Sequence, residues 1–356
     1  MPGGIGNHAY CLAKELGRLG YAVTVMTERR ESGEGDWQKF VESNRELEIV
    51  GLKRKKVVVL TYLLRVARLF QLLGKTSFQS VIYSGKFSVW LAALAPRTRS
   101  IVVVHGSEIK QKGFWKSLFR KGLKRAGAIV CVSNYTKSQL LAHYADLEAA
   151  KISVVNNGFQ DGFAANGSAA KNLTPESLDL ITVGGIHQRK GQFNVVRALP
   201  EIVENFPRVE YKVVGLPLEK DKLVDLIEKR KVRDKVTFHH GLTDLEVRET
   251  LARSDVFIML SEHLENGDFE GFGIAVVEAM SLGLPAIGSR DSGIADAISD
   301  GYSGKLVDPH DASEIIAALK AITVDYDKYS ANAKKWAESF QWKHKVKEYL
   351  SIIDKL

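Results

Sequence analysis

Cysteine is nearly missing from this chain: among 356 residues only Cys11 and Cys131 carry a thiol, far apart and with no CxxC or histidine-rich surroundings. That argues against a disulfide framework and a structural zinc site and for a reducing compartment, with the cytoplasm as the expected location. Long apolar runs are missing too. None reaches the roughly 18 residues of a membrane span and no secretory leader precedes the first polar residues, so a protein not integral to a membrane is expected. Recognisable nucleic-acid motifs and RNP-like runs of stacked aromatics are lacking, which leaves nucleic acid the weakest of the expected partners.

What is present is a soluble, globular composition, 45% hydrophobic and 26% charged. The length exceeds what one hydrophobic core usually serves, so two domains are expected. The net charge of +8 is unevenly shared. Residues 1–160 hold 25 Lys and Arg against 11 Asp and Glu, a net of +14, while the remainder holds 25 against 31, a net of −6. Such a basic half suits anionic lipid or a phosphorylated acceptor.

Short apolar runs alternate with helix-length segments throughout. Strands are expected at 22–27, 80–83, 101–104, 128–132 and 152–155, and again at 178–183, 210–214, 235–238, 256–260 and 284–287. This alternation predicts an α/β protein with two doubly wound sheets. Residues 161–177, rich in Gly, Ala, Ser and Asn and without periodicity, read as a linker between a first domain at 1–160 and a second at 178–325. Residues 326–356 follow as C-terminal helices, with Phe340, Trp342, Val346, Tyr349 and Ile352 at helical spacing that suits core packing.

Two segments of the basic half carry apolar residues among cations. Residues 57–73, with Arg65 and Arg68, follow the run Lys53-Arg54-Lys55-Lys56 and read either as a membrane-surface helix or, as the βαβ rhythm favours, as a crossover helix. Residues 114–126 place Trp115, Leu118, Phe119 and Leu123 on one helix face, a second candidate for a lipid-facing surface, with a solvated basic face as the alternative.

The stretch that organises the chain is Glu270-Gly271-Phe272-Gly273-Ile274-Ala275-Val276-Val277-Glu278. Its glycines open a helix start to an anion or to sugar hydroxyls, and Glu278 sits about one turn into an apolar helix, where a carboxylate is costly unless it faces a cleft. An acidic loop followed by a salt-bridged Glu is the plainer alternative. After the strand at 178–183, the turn Gly184 to Gly191 carries Arg189 and Lys190 at a helix start, a setting for a diphosphate. His105, at the carboxyl end of the strand at 101–104, stands where open α/β sheets bind ligands. Gly4-Ile5-Gly6-Asn7-His8-Ala9 fits the dinucleotide fingerprint GxGxxA, with Glu28 in the place of a ribose-binding acid, so a NAD(P)-dependent oxidoreductase is the rival enzyme class. Asp325-Tyr326-Asp327 reads as a surface turn rather than a metal site.

Together these residues resemble the retaining glycosyltransferases of family 4, over nearly the whole chain. The most specific element is the Glu270 to Glu278 pair with Phe272-Gly273 inside it, supported by Gly3-Gly4, His105-Gly106, Asn157-Gly158, Arg189-Lys190-Gly191 and residues 289–298. The resemblance implies the GT-B fold, two Rossmann-like domains facing across a cleft, with the last helix crossing back to the first domain. It implies transfer of a hexosyl unit from a UDP- or GDP-linked donor to a sugar, lipid-linked or anionic hydroxyl acceptor. This would occur without a required cofactor or metal, in cell-surface polysaccharide or glycolipid synthesis; an anionic membrane surface at the inner face is expected instead from the basic first half, with its apolar residues among the cations. By resemblance Glu278 holds the ribose and Lys190 the diphosphate. Glu270, with the backbone of Phe272, Gly273 and Ile274, holds the donor sugar. Gly3-Gly4 closes over the phosphates, and His105 contacts the sugar.

Two departures stand out. Gly185 occupies the position of a family arginine, leaving Arg189 to supply the second cation, and the family's first strand has no counterpart ahead of Gly3-Gly4. From the latter, the chain is expected to start inside a longer protein with about ten to fifteen further residues, the length of one strand and a short loop. A glycosyltransferase-like binding subunit without turnover is the non-enzymatic alternative.

Overall fold

The structure, a computed structural model, describes residues 4–29, 34–53, 58–96, 98–160 and 177–356. Gly3, residues 54–56 of the basic run and residues 161–176 of the expected linker lie outside the described residues; Ser177 already belongs to a strand.

The first half runs α1 (Gly4–Arg18), β1 (Val23–Arg29), α2 (Glu34–Glu42), β2 (Leu47–Lys53), α3 (Val58–Lys75), β3 (Val81–Ser84), α4 (Lys86–Leu94), β4 (Ser100–Val104), α5 (Gly113–Arg125), β5 (Ala128–Cys131), α6 (Asn134–His143) and β6 (Ile152–Val154). Its described strands form two sheets: a parallel β1-β2 pair and a parallel four-stranded sheet in the order β3-β4-β5-β6. β4 and β5 are buried at every position, which is why they read as unbroken apolar runs. α1 turns His8, Cys11, Leu12 and Leu16 inward, the spacing of one helix face.

The second half runs β7 (Ser177–Val183), α7 (Gln192–Asn205), β8 (Arg208–Val214), α8 (Lys220–Arg230), β9 (Val236–His239), α9 (Asp244–Ala252), β10 (Val256–Met259), α10 (Ile274–Ser281), β11 (Ala286–Ser289), β12 (Gly304–Val307), α11 (Ala312–Val324), α12 (Tyr326–Glu338) and α13 (Trp342–Lys355). Its six strands are parallel in the order β12-β11-β10-β7-β8-β9. The strand order reverses between β7 and β10, and a ligand crevice opens at such a switch point, outside the carboxyl ends.

Differences from the sequence reading are local. β2 and β12, seven and four residues long, are only partly buried and lack a continuous apolar run. Residues 58–75 form a helix, yet it keeps Leu60, Leu63 and Leu64 exposed. Of the large apolar residues of α5 only Phe114 and Trp115 are exposed; Phe119 and Leu123 are fully buried, so the proposed apolar face belongs mostly to the core. The C-terminal segment breaks at 339–341. α12 stays with the second half, where Trp336 Nε1 donates to the Ala297 carbonyl at 2.9 Å. α13 packs on α1, buries Trp342, Val346 and Tyr349, and presents the Ile353 carbonyl to Arg99 at 3.1 Å. One hydrophobic core thus runs from α1 and α13 through β4 and β5 to Phe272 and Val276.

Candidate active site

The loop after β7 and the loop after β10 meet at the switch point. The first forms a single 3-10 turn over Gln188–Lys190, stopped by Gly191 in the left-handed region (φ 82°), and carries Arg189 and Lys190. The second carries Asp268 and Glu270 and ends at Gly273, the N-cap of α10. Glu270 is buried, accepts from Lys190 Nζ at 2.7 Å, and is ion-paired and hydrogen-bonded to the Arg189 guanidinium. Arg189 Nε also lies 3.1 Å from Asp268 Oδ2. Burial pushes the Glu270 carboxyl up, but Lys190 and Arg189 outweigh it and hold the group below the ordinary carboxylate range. It is an anion at neutral pH.

Glu278, one turn into α10, is half-buried and takes no hydrogen bond to its carboxylate among the described residues. Burial, with Asp244 adding to it and Lys190 opposing, raises it to about 7. Such a group is poised to accept from a ligand hydroxyl. Phe272 is fully buried with its ring 5.6 Å from that of Phe340, so it offers the site only its backbone; Ile274 is half-buried at the amino end of α10.

The first half supplies the opposite wall. Gly4 opens α1 so close to α10 that a Cβ there would lie 3.9 Å from Ile274 Cδ1. The amino ends of two helices therefore converge, and both favour an anion. His105 is buried at the end of β4, with Nε2 2.9 Å from Ser84 Oγ, and burial lowers it to about 4, so the ring is neutral at pH 7. The loop that carries it is held by Glu108, which accepts from the His105 backbone N–H at 2.6 Å. A Cβ on Gly271 would lie 1.9 Å from the His105 carbonyl oxygen. Only glycine lets the two walls approach this far.

The structure thus brings together Gly4, His105, Arg189, Lys190, Glu270, Phe272, Gly273, Ile274 and Glu278; Gly3 lies outside the described residues. Where Gly185 replaces a family arginine, Arg189 converges with Lys190 on the same carboxylate. Sequence reasoning missed Asp268, Glu108 and a polar clasp in which one Asp296 oxygen accepts from Asn134 N (2.8 Å), Asn134 Nδ2 (2.9 Å) and Asn156 Nδ2 (3.1 Å). Glu108, Asn134 and Asn156 lie two to four residues beyond the carboxyl end of a strand, while Asp268 and Asp296 lie nine and seven residues beyond β10 and β11, Asp296 within the stretch 289–298 that supports the resemblance. Glu28, the acid of the dinucleotide reading, pairs with Arg65. Of the expected surface turn only Asp325 lies between α11 and α12; Asp327 is in the first turn of α12, and the buried Tyr326 is anchored to the Asp255 carbonyl at 3.0 Å.

The chain is similar to proteins of known activity along its length. A GDP-mannose-dependent α-(1-6)-phosphatidylinositol monomannoside mannosyltransferase of Mycolicibacterium smegmatis is 26% identical over 300 residues, covering 78% of this chain and 76% of the relative. Among solved structures, the Anabaena protein HepE, in complex with UDP and glucose, superposes with a TM-score of 0.78 at 17% identity over 100% of this chain and 97% of that one. A sucrose-phosphate synthase from Thermosynechococcus elongatus superposes with a TM-score of 0.81 at 17% identity over 99% and 93%. These two likenesses establish the architecture of two facing Rossmann-like domains. The family description "Glycosyltransferase Family 4" matches residues 2–161 and "Glycosyl transferases group 1" matches residues 167–339, which sets aside the oxidoreductase reading. The chain belongs to the family 4, group 1 glycosyltransferases.

Proposed function

We propose that this glycosyltransferase moves a hexosyl unit from a UDP- or GDP-linked sugar to a hydroxyl acceptor with retention at the anomeric carbon. The observation that carries the reading is the convergence of Arg189 and Lys190 on Glu270 beside the amino ends of α1 and α10, with Glu278 one turn further on. A diphosphate at these helix ends meets both cations and draws on their pairs with Glu270, which frees that carboxylate for hydroxyls of the transferred sugar. Glu278 accepts from the ribose hydroxyls. The bond from the anomeric carbon to the diphosphate oxygen breaks and its electron pair leaves with the diphosphate. The acceptor oxygen bonds from the same face, and its proton passes to the departing phosphate oxygen. Charge grows on the leaving group, so two cations and two sets of fixed N–H dipoles lower the barrier with no metal required. His105, neutral at pH 7, is placed to hydrogen-bond the sugar rather than to carry charge.

The acceptor is proposed to be lipid-linked or anionic and met at the inner face of a membrane. The support is an aromatic ribbon on the basic half. Tyr62 stacks on Phe87 at 4.6 Å and Trp90 on Trp115 at 4.2 Å, with Phe114 71% exposed beside them. Arg65 lies over Phe87 and Lys86 over Trp90. Aromatics among cations suit the headgroup region of an anionic bilayer. Among the described residues no helix is long and apolar enough to cross a membrane.

Thermal-shift screening of UDP, GDP and their hexose conjugates, with and without EDTA, tests the donor. A ligand at about 100 times its dissociation constant adds roughly 2.7 kcal/mol. Stabilisation by one nucleotide series followed by hydrolysis or transfer of its sugar is the expected result. Binding without turnover would instead make the chain a binding subunit, and no binding of any nucleotide sugar would overturn the site.

A further inference from the structure

The histidine that follows β4 is fixed by more than its own loop. Glu108 holds its backbone N–H, and Ser84 Oγ lies 2.9 Å from its Nε2. A second ring adds to these. His8 of α1 stands 4.9 Å from His105, centroid to centroid, with 81° between the planes, so one ring meets the other edge to face. The first turn of α1 reaches the same place from beside it, since a Cβ on Gly85, the residue after Ser84, would lie 3.0 Å from Ile5 Cγ2.

His8 is an odd residue for its position. The face of α1 that it shares with Cys11, Leu12 and Leu16 is otherwise apolar, and His8 is buried there. Its Nδ1 has no hydrogen-bond partner among the described residues, a cost that a leucine would not incur. Side chains that break the packing rule in this way gather at functional sites. Its Nε2 lies 2.9 Å from Tyr349 Oη on α13, and among the described residues that fully buried hydroxyl has no other partner. Burial, with His105 adding to it, keeps His8 uncharged. The tyrosine hydroxyl has one proton to give. Donated to Nε2, it makes His8 the Nδ1–H tautomer, and the π faces beside that ring are those of His105 and, at 5.1 Å, Trp342. The bond from Tyr349 thus fixes the plane of His8, and the plane of His8 limits that of His105.

We propose that His8 is a positioning residue: gripped by Tyr349, it sets the ring orientation of His105, so that the seat of α13 governs the histidine at the cleft. The last helix of the chain then acts on the reaction through two rings, without touching a substrate. This rests on the reading of His105 as a contact to the transferred sugar, whereas the coupling between the rings belongs to the free protein.

The test starts without any nucleotide. Ring-nitrogen NMR spectra of the histidines, with the His105 signals assigned by their loss in His105→Gln, report the tautomer of that ring. One tautomer is expected in the parent protein and a mixture of two in Tyr349→Phe and in His8→Phe. Tyr349→Phe removes only a hydroxyl, so it tests the grip even where His8→Phe fails to fold. Leu16→Ala loosens the same helix about 12 Å further along, at 1.5 Å per residue, and should lower Tm without changing the His105 signals. That contrast separates positioning from packing. Kinetics follow with UDP-glucose and GDP-mannose as probes, read as hydrolysis or transfer of the sugar. Tyr349→Phe and His8→Phe should lower kcat about tenfold and leave KM within about twofold, the pattern of an interaction lost only in the transition state. In a His105→Ala background either substitution should change kcat by less than about twofold, because residues that act through one another are not additive. Unchanged His105 spectra in both variants overturn the proposal, and so does a loss of kcat that adds in full to that of His105→Ala. If neither probe is turned over while the spectra change as expected, the coupling stands and it is the reading of the donor site that fails.

Discussion

Glu278 sets how the site answers to pH. Its carboxyl is raised to about 7 by burial, with Asp244 adding to the effect, and hydroxyl donors bind the ionised form. Donor affinity should therefore rise with pH, by about tenfold per unit below 7, and level off above it. Calorimetric titrations from pH 5.5 to 8.5 should trace this curve, and Glu278→Gln should flatten it and weaken binding. Stability moves the other way. The folded protein holds a proton that the unfolded chain releases, so this group's effect is to lower stability as pH rises from the ordinary carboxylate range to about 7. Glu278→Gln should stabilise the fold more at pH 8 than at pH 5, by on the order of 1–3 kcal/mol, read as a larger rise in Tm at pH 8. Glu270 behaves differently, because its two cations keep it ionised. Glu270→Gln should lower kcat about ten- to a hundredfold, the cost of a hydrogen bond to a charged group, with no new inflection between pH 5 and 8. A kcat unchanged in Glu270→Gln would remove it from the reaction.

At the scale of elements, the loop from Asp268 to Gly273 does what no single side chain does, since it presents a carboxylate to one half of the molecule and its backbone to the other. Thr136 Oγ1 donates to the Gly271 carbonyl at 3.2 Å, and His105 crowds the glycine from the same side. Gly271→Ala should push the walls apart and cut kcat/KM at least a hundredfold while circular dichroism stays unchanged. Retained activity would show that the cleft tolerates a wider gap. This is also where legibility divides. The paired carboxylates, the cations after β7 and His105 could be read from sequence, because each follows an apolar strand and sits where parallel sheets bind ligands. Asp268, Glu108 and Asp296 could not, since their roles come from contacts over distance or from backbone geometry that spacing does not encode. β2 and β12 escaped for a related reason: half-buried strands lack a continuous apolar run. α5 misled by half, because helical spacing gives a face and not what covers it. Its exposed end, Phe114 and Trp115, should carry docking to anionic vesicles at low salt, where each basic residue near the surface adds about 1 kcal/mol. Co-sedimentation that is absent, or unchanged in Phe114→Ser with Trp115→Ser, would count against the ribbon.

Across the whole molecule the two halves are tied in two unlike ways. On one side α13 buries Trp342, Val346 and Tyr349 in a core shared with α1, and His8 Nε2 lies 2.9 Å from Tyr349 Oη. Separating these groups would expose apolar area and strand a buried histidine, so this side stays closed. On the other side two ties are polar and reachable by water: Lys110 Nζ donates to the Glu265 carbonyl at 2.7 Å, and the half-buried Asp296 oxygen gathers three N–H donors, beside the buried Phe269, which packs into the first half's core, and the buried bond from Thr136 Oγ1 to the Gly271 carbonyl. Water can replace the two exposed polar ties at small cost. The molecule should therefore hinge about α13 and open at the clasp, which is what admission of a donor to a site between two walls requires. Asp296→Ala should raise KM for the donor severalfold with kcat largely kept, speed amide exchange at 134–136 and 269–273, and cost no more than about 1–2 kcal/mol of stability. Tyr349→Phe, in the shared core, should lower Tm without that selective rise in exchange. If Asp296→Ala instead cost as much as a core truncation, about 2–5 kcal/mol, and left KM unchanged, the clasp would be part of the fold and the opening would have to lie elsewhere.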